Sequence, residues 1–107
     1  MNMRYLMTTK GGSEADEKLF AEMGAFVEEM TKAGILLATG GLEPRGLVMT
    51  SEGDDITVTD GPFLEAKDVV GGFALVEVRS KEEALEVARR FRKIVGDGES
   101  QIWQVFG

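Results

Sequence analysis

The strongest constraint on this chain is a change of apolar period that happens twice. Met3 to Thr9 alternates, with Met3, Tyr5 and Met7 on one side of an extended segment and Arg4, Leu6 and Thr8 on the other. From Glu14 to Ala33 the period becomes helical, and Leu19, Phe20, Met23, Phe26, Val27 and Met30 form one stripe. Ser13 suits the N-cap, and Glu14, Asp16 and Glu17 suit the positive first turn. Gly34 suits the left-handed position past the helix end, and Ile35 to Thr39 then reads as a short apolar strand. The second half repeats the change. Gly72 to Arg79 alternates Phe73, Leu75 and Glu77 against Ala74, Val76 and Val78. Ser80-Lys81-Glu82-Glu83 reads as a capping box for a helix with its stripe at Ala84, Leu85, Ala88, Phe91, Ile94 and Val95. Arg89, Arg90, Arg92 and Lys93 complement its dipole, Gly96 stops it, and Gln101 to Phe106 closes as a strand.

Between the two halves, Gly40 to Gly46 reads as a loop or an irregular edge, since Pro44 cannot donate to a central ladder. Leu47 to Thr50 and Ile56 to Thr59 flank a turn in which Gly53 can take positive φ, which predicts a β-hairpin. The order β-α-β, hairpin, β-α-β predicts one domain over residues 1–107, an α+β sandwich of ferredoxin-like type. Two helices cover only one face of such a sheet, yet several strands are apolar on both faces. Leaving the second face wet would expose more apolar surface than a monomer ordinarily carries. A homodimer, sheet against sheet, is therefore expected.

Composition narrows the chemistry. Among 107 residues there is no cysteine and no histidine, which removes thiol nucleophiles, zinc–thiolate sites and the commonest general base. A net charge of −7 disfavours nucleic acid as a partner. No apolar run approaches a membrane span, and the start lacks a signal peptide's apolar centre, so a cytoplasmic protein is expected. Any acid–base work falls to a carboxylate, a lysine or the single tyrosine, Tyr5.

The chemically dense stretch runs from Asp60 to Asp68. Asp60-Gly61-Pro62-Phe63 breaks a strand, Pro62 stiffens the turn, and Glu65, Lys67 and Asp68 follow closely. Carboxylates and one lysine at a rigid turn form a polar pocket in which one carboxyl's pKa can rise. On this reading Asp60 carries the proton or anchors a ligand, Lys67 is its charge partner, and Glu65 and Asp68 support them. The plainer reading is that Asp60 caps its own turn and pairs with Lys67 while the other acids are solvated. Tyr5 and Trp103, on the terminal strands, are expected to line a cleft between sheet faces or simply to serve as core or dimer contacts. Gly40-Gly41 and Gly71-Gly72 match no phosphate or dinucleotide fingerprint, so no cofactor is expected, and a strand bulge is the preferred reading. No acidic spacing matches a metal loop, and no metal is expected.

The run Val58-Thr59-Asp60-Gly61-Pro62-Phe63-x-Glu65-x-Lys67-Asp68, then Gly72-Phe73 and a helix from Glu83-Ala84-Leu85, resembles the DGPF branch of the YCII-related proteins. Met3-Arg4-Tyr5-Leu6-Met7, Ala33-Gly34 and Leu42-x-Pro44 agree, so the resemblance spans essentially the whole chain. It implies a ferredoxin-like fold that dimerises into an α+β barrel with a cleft between the sheets. It also implies Asp60, Gly61, Pro62, Phe63, Glu65 and Lys67 as motif positions, and sigma-factor association for some members. The His–Asp pair proposed for the wider group has no counterpart here, because the chain has no histidine. Two readings stand: a homodimeric small-molecule-binding domain, with Asp60 as acid–base if it is an enzyme, and a non-catalytic accessory that docks a protein partner.

Overall fold

The computed structural model describes residues 2–12, 15–61 and 69–107. Its elements are β1 (Met3–Gly11), α1 (Glu17–Lys32), β2 (Leu36–Gly41), β3 (Leu47–Glu52), β4 (Asp55–Asp60), β5 (Val70–Val78), α2 (Lys81–Val95), β6 (Gly98–Glu99) and β7 (Ile102–Val105).

The first helix starts later than its spacing suggests. Asp16 is the N-cap, its Oδ1 accepting the Leu19 N–H at 2.7 Å, so the helix begins at Glu17 rather than Glu14. Ser13, the expected cap, lies outside the described residues. An acid three residues before an available N–H is as good a cap as serine and sits next to the apolar stripe. The helix ends on Ala33, and Gly34 takes φ +75° as expected. The second helix follows its signals closely. Ser80 Oγ accepts the Glu83 N–H at 3.1 Å, and Gly96 ends the helix at φ +88°. The reciprocal bond of the capping box is displaced by one residue, since Glu83 Oε1 accepts the N–H of Arg79 rather than that of Ser80.

The long strands pair in the order β2-β5-β1-β7, all antiparallel, with β6 beside the end of β1. With both helices on one face, this is a ferredoxin-like α+β arrangement. Gly40 and Gly41, expected in a loop or an irregular edge, extend the edge strand β2 and pair with Phe73 and Gly72. The β2 ladder slips between Leu36 and Ala38, where Leu37 is the extra residue of a bulge. A second irregularity between Thr9 and Lys10 skips Gly71, the position where a bulge was expected.

The core lies between this sheet and the helices. Tyr5, Met7, Val76 and Val78 from the strands meet Phe26 and Met30 of α1 and Ala84, Val87 and Ala88 of α2, all buried. The opposite face carries Arg4, Leu6, Leu75, Glu77, Trp103 and Val105, as the register requires. No described helix covers it. Arg4 and Glu77, directly opposite one another, join there at 3.2 Å.

Strands β3 and β4 form a separate two-stranded sheet with a two-residue turn at Gly53-Asp54. Positive φ falls on Gly53 alone, +60°, which suits the first central position of a type II′ turn. This ribbon stands away from the body. The radius of gyration is 15.9 Å, whereas a compact domain of this length has about 13 Å. Among the described residues, no helix is long and apolar enough to cross a membrane.

Candidate functional site

Asp60 ends β4 and faces Leu47 across the ribbon. Just past it, the Gly61 N–H donates to the Gly46 carbonyl at 2.7 Å and ties the root of the hairpin. A Cβ on Gly61 would stand 2.9 Å from that same oxygen, so the closure requires glycine. The strand thus stops where the Asp-Gly-Pro turn was expected, and Asp60 is exposed there. Pro62, Phe63, Glu65, Lys67 and Asp68 lie outside the described residues. Of the proposed cluster, the described structure therefore positions Asp60 and Gly61.

Tyr5 is not where a cleft residue between sheets would be. It pairs with Val76 and Gln104, is 5% exposed, and belongs to the core beneath the helices. Alternation showed which residues share its face, and the structure turns that face toward α1 and α2. Trp103, opposite Leu6, lies on the uncovered face and is 59% exposed. Among the described residues no cluster of three or more His, Cys, Asp or Glu could hold a metal ion.

The basic run on α2 is distributed among different tasks. Arg90 forks onto Glu29 of α1 with contacts of 2.5 and 2.9 Å and stacks over Phe26 at 5.1 Å. The guanidinium hydrogen bonds hold the Glu29 carboxyl below its ordinary range, against a smaller opposing effect of desolvation. Arg92 turns back to the helix end and donates to the Gly96 carbonyl at 2.8 Å and to Thr9 Oγ1 at 2.9 Å.

The feature that residue-by-residue reading missed is a joint one. The two glycine pairs, 31 positions apart in sequence, lie side by side because Gly41 pairs with Gly72. On the helix side of that floor is a cavity of about 370 Å³, walled by Met23, Phe26 and Met30 of α1 and Phe91 of α2. Each glycine pair reads in the sequence as a bulge or a close approach. Their adjacency needed the pairing of β2 with β5.

An antiparallel sheet with its long strands in the order β2-β5-β1-β7, two helices on one face and a hairpin inserted between the halves define the class: a ferredoxin-like α+β domain. The model of the YCII-related domain matches residues 1–105, and the chain belongs to that family. It is similar to an uncharacterized protein of Rhizobium meliloti (strain 1021), 35% identical over 86 residues, which is 78% of this chain and 68% of the relative. Among solved structures it resembles the periplasmic divalent cation tolerance protein CutA from Archaeoglobus fulgidus, with a TM-score of 0.38 and 10% identity, over 98% of this chain and 82% of that one. A likeness that loose carries nothing over to this chain.

Proposed function

We propose that the chain is a homodimeric small-molecule-binding domain, its two sheets facing one another as an α+β barrel with Asp60 at the rim of the enclosed cleft. The observation that carries the dimer is exposed apolar surface in two places. On the hairpin, Leu47, Met49, Ile56 and Val58 share one face and all are exposed, while the other face carries Val48 with three threonines and two acids. A lone two-stranded ribbon is marginal in water and needs a surface to lie on. On the main sheet, Trp103, Val105 and Leu37 are exposed. The accessible surface is 8009 Å², against about 5,800 Å² for a compact monomer of this mass. The surplus exceeds the roughly 800 Å² that each partner contributes to a standard interface.

Within the cleft, Asp60 would hold a small polar or cationic molecule or, as an enzyme, move a proton without a metal. Glu65, Lys67 and Asp68 complete that proposed site, with Gly61, Pro62 and Phe63 shaping its turn. The test is solution mass followed by ligand response. Wild type should scatter as a dimer at micromolar concentration. Asp60→Ala should remain dimeric and keep its melting temperature while losing stabilisation by small amines. A wild-type mass of 11.6 kDa overturns the reading. A second reading, a protein-docking accessory, draws on the same hairpin: among the described residues its two strands pair with each other and with no other strand. It requires a monomer whose hairpin is covered by a different protein.

A further inference from the structure

The proposed dimer concerns the uncovered side of the sheet, and the cavity of about 370 Å³ lies on the other side. Protein interiors are ordinarily close-packed, with few voids larger than a water molecule. A space this large beside a small core forgoes many dispersion contacts, and its size falls within the roughly 300–1,000 Å³ typical of ligand pockets. Gly40, Gly41, Gly71 and Gly72 line it with backbone alone, and the strands approach closely there: a Cβ on Gly72 would meet the Gly40 carbonyl oxygen at 3.0 Å. Its helix-side wall includes Met23 and Met30, whose flexible thioethers adapt to an irregular guest.

One end is polar. Thr9 and Ser100 line it, and both hydroxyls are engaged from behind by Arg92: Nη1 donates to Thr9 Oγ1 at 2.9 Å and to Ser100 Oγ at 3.4 Å. A hydroxyl whose lone pair is taken by a guanidinium still has its own proton to donate. The other Arg92 acceptors are the carbonyls of Gly96 and Glu99, and among the described residues no carboxylate forms an ion pair with it. The apolar chamber therefore ends in two O–H donors backed by a positive charge that neutral oxygens leave uncompensated. That combination suits a carboxylate on an apolar body.

We propose that this cavity is a second binding site, separate from the inter-sheet cleft, for a compact apolar monocarboxylate whose head is received by Thr9 and Ser100 in front of Arg92. Octanoate and octan-1-ol are the probes, titrated into the full chain and followed by the methyl resonances of Met23 and Met30. Octanoate should bind about tenfold more tightly than the alcohol, the scale of one charge-assisted hydrogen bond. Val27→Phe, at a half-buried position on the wall, should abolish binding of both probes. Ser100→Ala should weaken octanoate severalfold and leave octanol unchanged. Arg92→Gln should bring the two probes to equal affinity. Trp103→Glu, aimed at the dimer contact, should leave octanoate binding intact, so the two sites fail separately. Methyl shifts that persist in Val27→Phe, equal wild-type affinity for acid and alcohol, or no response to octanoate would each overturn the proposal.

Discussion

Val76 and Met49 are both apolar residues on antiparallel strands, each directly opposite another large side chain, Tyr5 for one and Val58 for the other. Val76 is 1% exposed and Met49 is 69% exposed. The strand chemistry is alike. The difference is that two helices press on the main sheet and, among the described residues, neither packs on the hairpin. Cross-strand pairing supplies a ribbon, but burial needs a second layer. One region of this molecule buries its apolar side chains within the chain, and the other leaves them exposed.

The largest expected effect tests the buried region. Phe26→Ala should destabilise by about 3–5 kcal/mol in denaturant unfolding, independent of protein concentration, because it empties a core position beside an existing cavity. A concentration-dependent loss would show that this core, too, depends on a partner. Next comes the exposed region. Trp103→Glu or Met49→Glu should weaken self-association by about 2 kcal/mol or more, read as a shift from dimer to monomer in light scattering. Under conditions where the chain is already monomeric, Met49→Ala should cost under about 0.5 kcal/mol. A large cost there would mean that the hairpin packs on its own chain.

Smaller effects sharpen the contrast by acting on the covering helices alone. Ser80→Ala should remove about 1 kcal/mol through loss of the cap to Glu83, without altering the solution mass. The smallest is electrostatic. Glu29 is exposed and its folded-state pKa is depressed by Arg90, so its contribution is present above the unfolded carboxylate range and is lost as pH falls through the folded value. Glu29→Gln should thus lower the melting temperature slightly at neutral pH. The difference should vanish in acid below the ordinary glutamate range and shrink in high salt.

Much of the fold was legible because its signals are local. The cap at Ser80 and the glycine stops at Gly34 and Gly96 each depend on neighbours within a few residues. The displaced start of α1 shows the limit of such reading, since Ser13 and Asp16 both cap plausibly and only one precedes Glu17. Of the candidate site, the strand end at Asp60 was legible as turn chemistry, whereas the closure of Gly61 onto Gly46 needed the pairing of β3 with β4. The choice between cleft and core for Tyr5 was not legible, because two-residue alternation groups side chains by face without saying which face a helix will cover.

By itself, the amino-acid order determined the periods, the caps, the element sequence and the prospect of a sheet with more apolar surface than two helices can cover. These are matters of spacing within one turn or one strand. Only the tertiary structure decided that Tyr5 goes under the helices, that Gly40-Gly41 and Gly71-Gly72 form one floor, and that Arg92 stands behind Thr9 and Ser100. Those outcomes join residues from distant parts of the chain. They follow from strand register and bulge position, which many side chains set together and no short stretch encodes.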